Sequence, residues 1–125
     1  MFRVSEQKFE SYVSDAIDSI PQKYFDKIQN IVFVVENNPS KEQLEKLRLN
    51  PGHSLFGLYE GIPLPARSSG YNLVLPDKIT IFKNPIENFC KDLATLRKQI
   101  HKTVWHEVAH YFGLSHEDMD KLGGI

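Results

Sequence analysis

His106 and His110 lie four residues apart, with Glu107 beside the first, in the run His106-Glu107-Val108-Ala109-His110-Tyr111-Phe112-Gly113-Leu114-Ser115-His116. The pattern is H-E-x-x-H-x-x-G-x-x-H. Two imidazoles at this spacing share one face of a helix and can hold a single divalent ion, Zn²⁺ being the expected one. Glu107 is then placed to take a proton from water that the ion has acidified. Gly113 can adopt positive φ, so the chain can leave the helix and turn back with His116 as third metal ligand. If His116 is not that ligand, Glu117, Asp118 or Asp120 must be. The competing reading is a solvated helix face on which histidines happen to fall. H-E-x-x-H alone turns up by accident in roughly one chain in a hundred of this length, and the added glycine and third histidine make coincidence far rarer.

A helix must carry these ligands. Asp92 can cap one that runs from Leu93 to Phe112 and that Gly113 stops. On a wheel of about 100° per residue, Leu93, Leu96, Ile100, Val104, Val108 and Phe112 cover one side, while His106 and His110 lie about 200° and 240° from Val104. Gln99 and Thr103 share the histidine side, so the helix is expected to divide a core face from a polar cleft face. His101 falls near the apolar stripe and reads as a partly buried structural histidine. His53 reads as a surface loop residue, Met119 as packing in a last helical turn from Glu117 to Leu122, and Cys90 as a buried apolar residue. Tyr59, Tyr71 and Arg67 are the candidates to stabilise an oxyanion.

Upstream, Phe9, Tyr12, Val13, Ala16, Ile17 and Ile20 recur at helical spacing behind a Ser5 cap, and Pro21 breaks this helix before a shorter one from Gln22 to Ile28. Ile31-Val32-Phe33-Val34-Val35 is a continuous β-branched and aromatic run, expected to be a strand covered on both faces. Ser40 and Gln43 form a capping-box pattern for a short helix through Leu47. Leu55 to Ile62 and Lys78 to Lys83 read as two further strands, the second with Ile79 and Ile81 alternating against Thr80 and Phe82. Between them Gly61 to Asp77 is a long loop, and a short helix from Asn84-Pro85 through Phe89 precedes Asp92. The order of elements gives an α+β fold, with helices packed on a small mixed sheet.

The chain has 125 residues, a length that suits one domain spanning residues 1–125, and 41% are hydrophobic, enough for an ordinary core. Fifteen basic against sixteen acidic residues give a net charge of −1, so nothing in the charge favours a nucleic-acid or membrane partner. The lone Cys90 has no intramolecular disulfide partner, the start Met1-Phe2-Arg3-Val4 leads into a charged segment, and no apolar run reaches the roughly 20 residues that span a bilayer. A soluble cytoplasmic protein is the expectation.

The sequence resembles the small single-domain zincin-like metallopeptidases found mostly in bacteria. The residues that carry the likeness are Val34-Val35-Glu36, the stretch from Leu55 to Leu64, Leu75-Pro76-Asp77-Lys78-Ile79-Thr80-Ile81-Phe82, the metal motif and Leu122-Gly123. This resemblance implies a minimal zincin-like fold. It also implies that His106 and His110 match the helix ligands, Glu107 the general base and His116 a third-ligand position that is Asp in some members.

The expected function is zinc-dependent hydrolysis of a peptide or protein substrate. An extended substrate is expected to pair with an edge strand, for which Lys78 to Lys83 is the candidate, with the Gly61 to Asp77 loop bordering the cleft. A metal-dependent ribonuclease of another minimal zincin-like family is a second enzyme reading; that family lacks the glutamate seen here as Glu107, and this chain has no basic excess. A catalytically weak zinc-binding interaction module is the non-enzyme reading. Glu107 opposes it, because a closed structural site needs no base.

Overall fold

The structure, a computed structural model, describes residues 1–49, 55–66 and 76–114. Helix α1 spans Glu6–Asp18, and the Ser5 hydroxyl caps it by accepting from the Lys8 N–H at 3.2 Å. Its apolar stripe, Phe9, Val13 and Ala16, is buried, and Ile20 extends it past the helix end. Pro21 then opens a single turn, α2, at Gln22–Phe25. Strand β1 is Ile31–Glu36, followed by helix α3 at Lys41–Leu49. The Ser40 hydroxyl and the Gln43 side chain each accept from the other residue's backbone N–H, the reciprocal cap that the pair suggested.

Strand β2 is Gly57–Glu60, a 3₁₀ turn occupies Leu64–Ala66, and β3 is Asp77–Phe82. Helix α4 spans Lys83–Phe89 with Pro85 in its first turn, where no intrahelical donor is lost, and α5 spans Leu93–Tyr111. The three strands form one mixed sheet in the order β1-β3-β2. β1 runs parallel to β3 with Ile31 opposite Asp77, and β2 runs antiparallel to β3 with Gly57 opposite Ile81.

The core lies between the sheet and the pair α1 and α5. Ile79 and Ile81 of β3 meet Phe9 and Val13 of α1 and Leu96, Ile100, Val104 and Val108 of α5. The other sheet face buries Leu58 against Phe82. This arrangement corrects two expectations about the strands. The continuous run of β1 is not covered on both faces: it is an edge strand among the described residues, with Val32 exposed and the rest half-buried. The alternating β3 is the strand buried on both sides, Thr80 and Phe82 included, because it is central. A sheet's middle strand loses water from both faces whichever residues it alternates.

Among the described residues no helix is long and apolar enough to cross a membrane. The remote end of the molecule is tied by Glu87 of α4, which is fully buried. Its carboxylate accepts from the Val4 N–H at 2.8 Å and meets the Lys83 ammonium at 3.0 Å, so this charge is paired and hydrogen-bonded.

Candidate metal centre

Helix α5 owes its start to a complete capping box. Asp92 accepts from the Thr95 N–H at 2.8 Å, and the Thr95 hydroxyl accepts from the Asp92 N–H at 3.2 Å. The Thr95 N–H and, secondarily, the Thr95 hydroxyl, both donating to its carboxylate, hold the Asp92 carboxyl below the usual carboxylate range. About five helical turns later the same helix ends in a Schellman motif. Gly113, at φ +70°, donates its N–H to the His110 carbonyl, and Leu114 donates to that of Ala109, each at 3.0 Å. The glycine does what its position suggested: it turns the chain sharply away just beyond the second histidine.

Between these ends, His106 and His110 stand edge to face with ring centroids 4.5 Å apart. Potential ligand atoms of His106, Glu107 and His110 all lie within 4.8 Å of one another. Glu107 is fully buried and accepts through Oε1 from His110 Nδ1 at 3.0 Å. That bond leaves the hydrogen on Nδ1 and the lone pair on Nε2, the form in which imidazole binds a metal. Glu107 Oε2 is buried with no hydrogen-bond partner among the described residues. An orphaned buried oxygen costs roughly 1–3 kcal/mol, so the pocket is made for a polar occupant. The residues present therefore fit a divalent ion with its coordinated water.

The histidine side of α5 differs from the open polar wall expected of it. Thr103 and Glu107 are both buried, because Gly57 of β2 brings its backbone directly onto them. His106 and His110 stay half-exposed, as does Gln99, and His110 lines a groove of about 480 Å³ together with Lys46, Leu58, Tyr59, Glu60, Pro63 and Leu114. Gly61 and Pro63 place the start of the Gly61 to Asp77 loop on that border, as expected.

The substrate-strand expectation is corrected here: β3, central and paired on both edges, cannot accept another strand, and β2 is the strand beside the groove. Tyr59 projects from β2, and its hydroxyl donates to Asp77 Oδ2 at 2.6 Å. Its proton is thereby committed to a buried carboxylate, which weakens it as an oxyanion donor. His101 is exposed rather than partly buried; it lies 3.3 Å from the Ser19 hydroxyl and stacks on Trp105, away from the site. Cys90 is buried as expected, and its surroundings push the thiol pKa up, burial first and the Asp92 charge second. His116, its alternatives Glu117, Asp118 and Asp120, Met119, the last helical turn, His53, Arg67 and Tyr71 lie outside the described residues.

Sequence reasoning passed over Gly57, Asp77 and Tyr111 as parts of the site's frame. Tyr111, fully buried next to His110, accepts from the Gln29 N–H at 2.9 Å and packs edge-on against Tyr59. It ties the end of α5 to the turn before β1, where Asn30 takes φ +56° and accepts from the Asp77 N–H. The only signal in the sequence for these contacts is residue type, since each joins segments far apart in the chain.

The helix that carries His106, Glu107 and His110, the mixed sheet and the groove between them define a minimal zincin-like architecture. The family model for zincin-like metallopeptidases matches residues 28–124, and the chain belongs to that family. The match takes in the three described strands, the groove and the whole of the His106 to His116 motif. No curated protein matches the chain significantly.

Proposed function

We propose that the protein is a zinc-dependent peptide hydrolase in which His106 and His110 hold the ion, His116 completes the ligand set and Glu107 is the general base. The observation that carries this reading is Glu107. It is fully buried, anchored through Oε1 to His110, and its Oε2 is turned to no protein group among the described residues. Zinc bound there supplies a Lewis acid that polarises a carbonyl and acidifies water. Glu107 would take a proton from the attacking water through Oε2 and deliver it to the leaving amine. His110, donating to Oε1, keeps the carboxylate from rotating out of reach. An extended peptide would run along β2 in the groove, with Leu58, Tyr59 and Glu60 on one wall and His110 and Leu114 on the other.

The substrate is a peptide or protein on this reading, and neither nucleic acid nor membrane has a part in it. The balance of charge supports that choice, since a net charge of −1 offers no basic excess to hold a phosphate backbone. The test is hydrolysis of a peptide library by zinc-loaded protein, compared with Glu107→Gln. The amide has the volume of the acid and can still accept from His110, so metal content and melting should stay close to wild type. Cleavage should fall by about 10² to 10⁴, the usual worth of a placed acid/base. A fully loaded wild type that cleaves nothing, or a glutamine variant that cleaves equally well, refutes the peptidase reading.

A further inference from the structure

We propose that Gly57 is a positioning residue: it seats β2 against Glu107 and thereby fixes how far the groove wall stands from the metal-binding helix. The consequence for catalysis rests on the peptidase reading above. The geometry does not.

A Cβ at residue 57 would lie 2.8 Å from Thr103 Cγ2, 3.2 Å from Glu107 Cγ and 3.2 Å from the Thr80 carbonyl oxygen. The space is closed from two sides, by α5 in front and by the central strand behind. Among the described residues the glycine at positive φ is Gly113, so Gly57 is needed for room and not for conformation. Its neighbours have little freedom to withdraw. Thr103 is 3% exposed, its methyl is attached directly to Cβ, and its hydroxyl accepts from Gln99 Nε2 at 3.1 Å. Glu107 is 0% exposed and tied to His110. Behind Gly57, β3 is locked between β1 and β2.

A side chain here must therefore push β2 and α5 apart. Two groups move when that happens. Glu107 and His110 shift with the helix, and Leu58, Tyr59 and Glu60, the next residues of β2, carry the groove wall with them. A displacement of about 1 Å between a bound peptide and its base is enough to lower rate about 10²-fold. The burial of Glu107 depends on the same contact, since the Gly57 backbone is what lies against its stem.

The experiment compares wild type, Gly57→Ala and Gly57→Ala/Thr103→Ser. Each is freed of metal and titrated with Co²⁺, whose visible absorption reports ligand geometry, and each is assayed on any peptide the wild type cleaves. Gly57→Ala should weaken Co²⁺ binding about tenfold, as loss of a partner that orients a metal ligand does, alter the absorption band, and lower kcat/KM about 10²-fold. Thr103→Ser deletes the methyl responsible for the 2.8 Å contact, and so should restore the band and at least tenfold of the rate. A purely destabilising effect would leave the band of the folded fraction unchanged.

A single variant with wild-type band, affinity and rate overturns the proposal. So does a loss that Thr103→Ser fails to repair. Should Gly57→Ala not fold at all, recovery of a folded, Co²⁺-binding double variant supports the seat, and its failure to fold overturns it. Absence of cleavage by wild-type protein counts against the peptidase reading alone, because the Co²⁺ comparison still decides the role of Gly57.

Discussion

Gly113→Ala strikes the turn that ends α5 just past His110, and its cost divides into parts that can be measured separately. At φ +70° an L-residue costs about 1–2 kcal/mol. The new Cβ would also stand 2.9 Å from Pro65 Cγ and 3.1 Å from its Cδ. A pyrrolidine ring cannot rotate aside, but Pro65 belongs to an exposed 3₁₀ turn that can yield as a whole. That places the overpacking cost near the low end of its range, about 1 kcal/mol. Alanine also stiffens the unfolded chain, which offsets about 0.4–1 kcal/mol. The net is about 2 kcal/mol, or roughly 8 °C in melting temperature for a domain of this size. Thermal melts of metal-free protein read it directly. Gly113→Asn should recover most of the conformational part, since asparagine tolerates positive φ, while keeping the contact with Pro65. Pro65→Ala in the Gly113→Ala background should recover the contact and leave the conformational part. A Gly113→Ala protein that melts within 2 °C of wild type (about a quarter of the expected shift) refutes the reasoning, as does a Pro65→Ala background that recovers nothing.

Removal of the metal should leave a folded protein. The core between α1, α5 and the sheet contains none of the histidines, unlike a zinc finger whose folding energy comes from its ion. Calorimetry with a chelator should show one cooperative transition, and loss of that transition would make the ion structural. Glu60 should impose an acid-side dependence on stability. Burial opposes its ionisation, but hydrogen bonds from Lys46 and Gln43 and the charges of Lys46 and Lys78 outweigh that and hold its pKa below 4.5. A folded pKa below the unfolded one contributes stability that is present above about pH 4.5 and is lost as pH falls through the folded value. Glu60→Gln should flatten denaturant midpoints in that window while those of the wild type decline, and an equal decline in both would exclude this pair as the cause.

The sequence by itself determined the elements whose causes are local. Ser5, the Ser40 and Gln43 pair and the Asp92 and Thr95 box lie within three residues of the backbone groups they satisfy, so a cap is legible wherever its residues occur. Gly113 ends α5 for an equally local reason, the steric cost of positive φ. The spacing of His106 and His110 placed two imidazoles on one helix face, because helical pitch alone brings residues four apart together.

Only the tertiary structure decided which strand is central, and periodicity could not. β1 is apolar throughout yet lies at the sheet's edge, while β3 alternates and is buried on both sides, since burial depends on which strands flank it. The wheel of α5 correctly set the histidines apart from the core stripe but gave no hint that Gly57 would lie on Glu107, 50 residues away in the chain. Tyr59 was a candidate donor by type until its bond to Asp77 committed its proton elsewhere. Local rules fix where a helix begins, ends and turns its ligands; the environment of those ligands is made by backbone brought in from distant segments, and no short window of residues contains it.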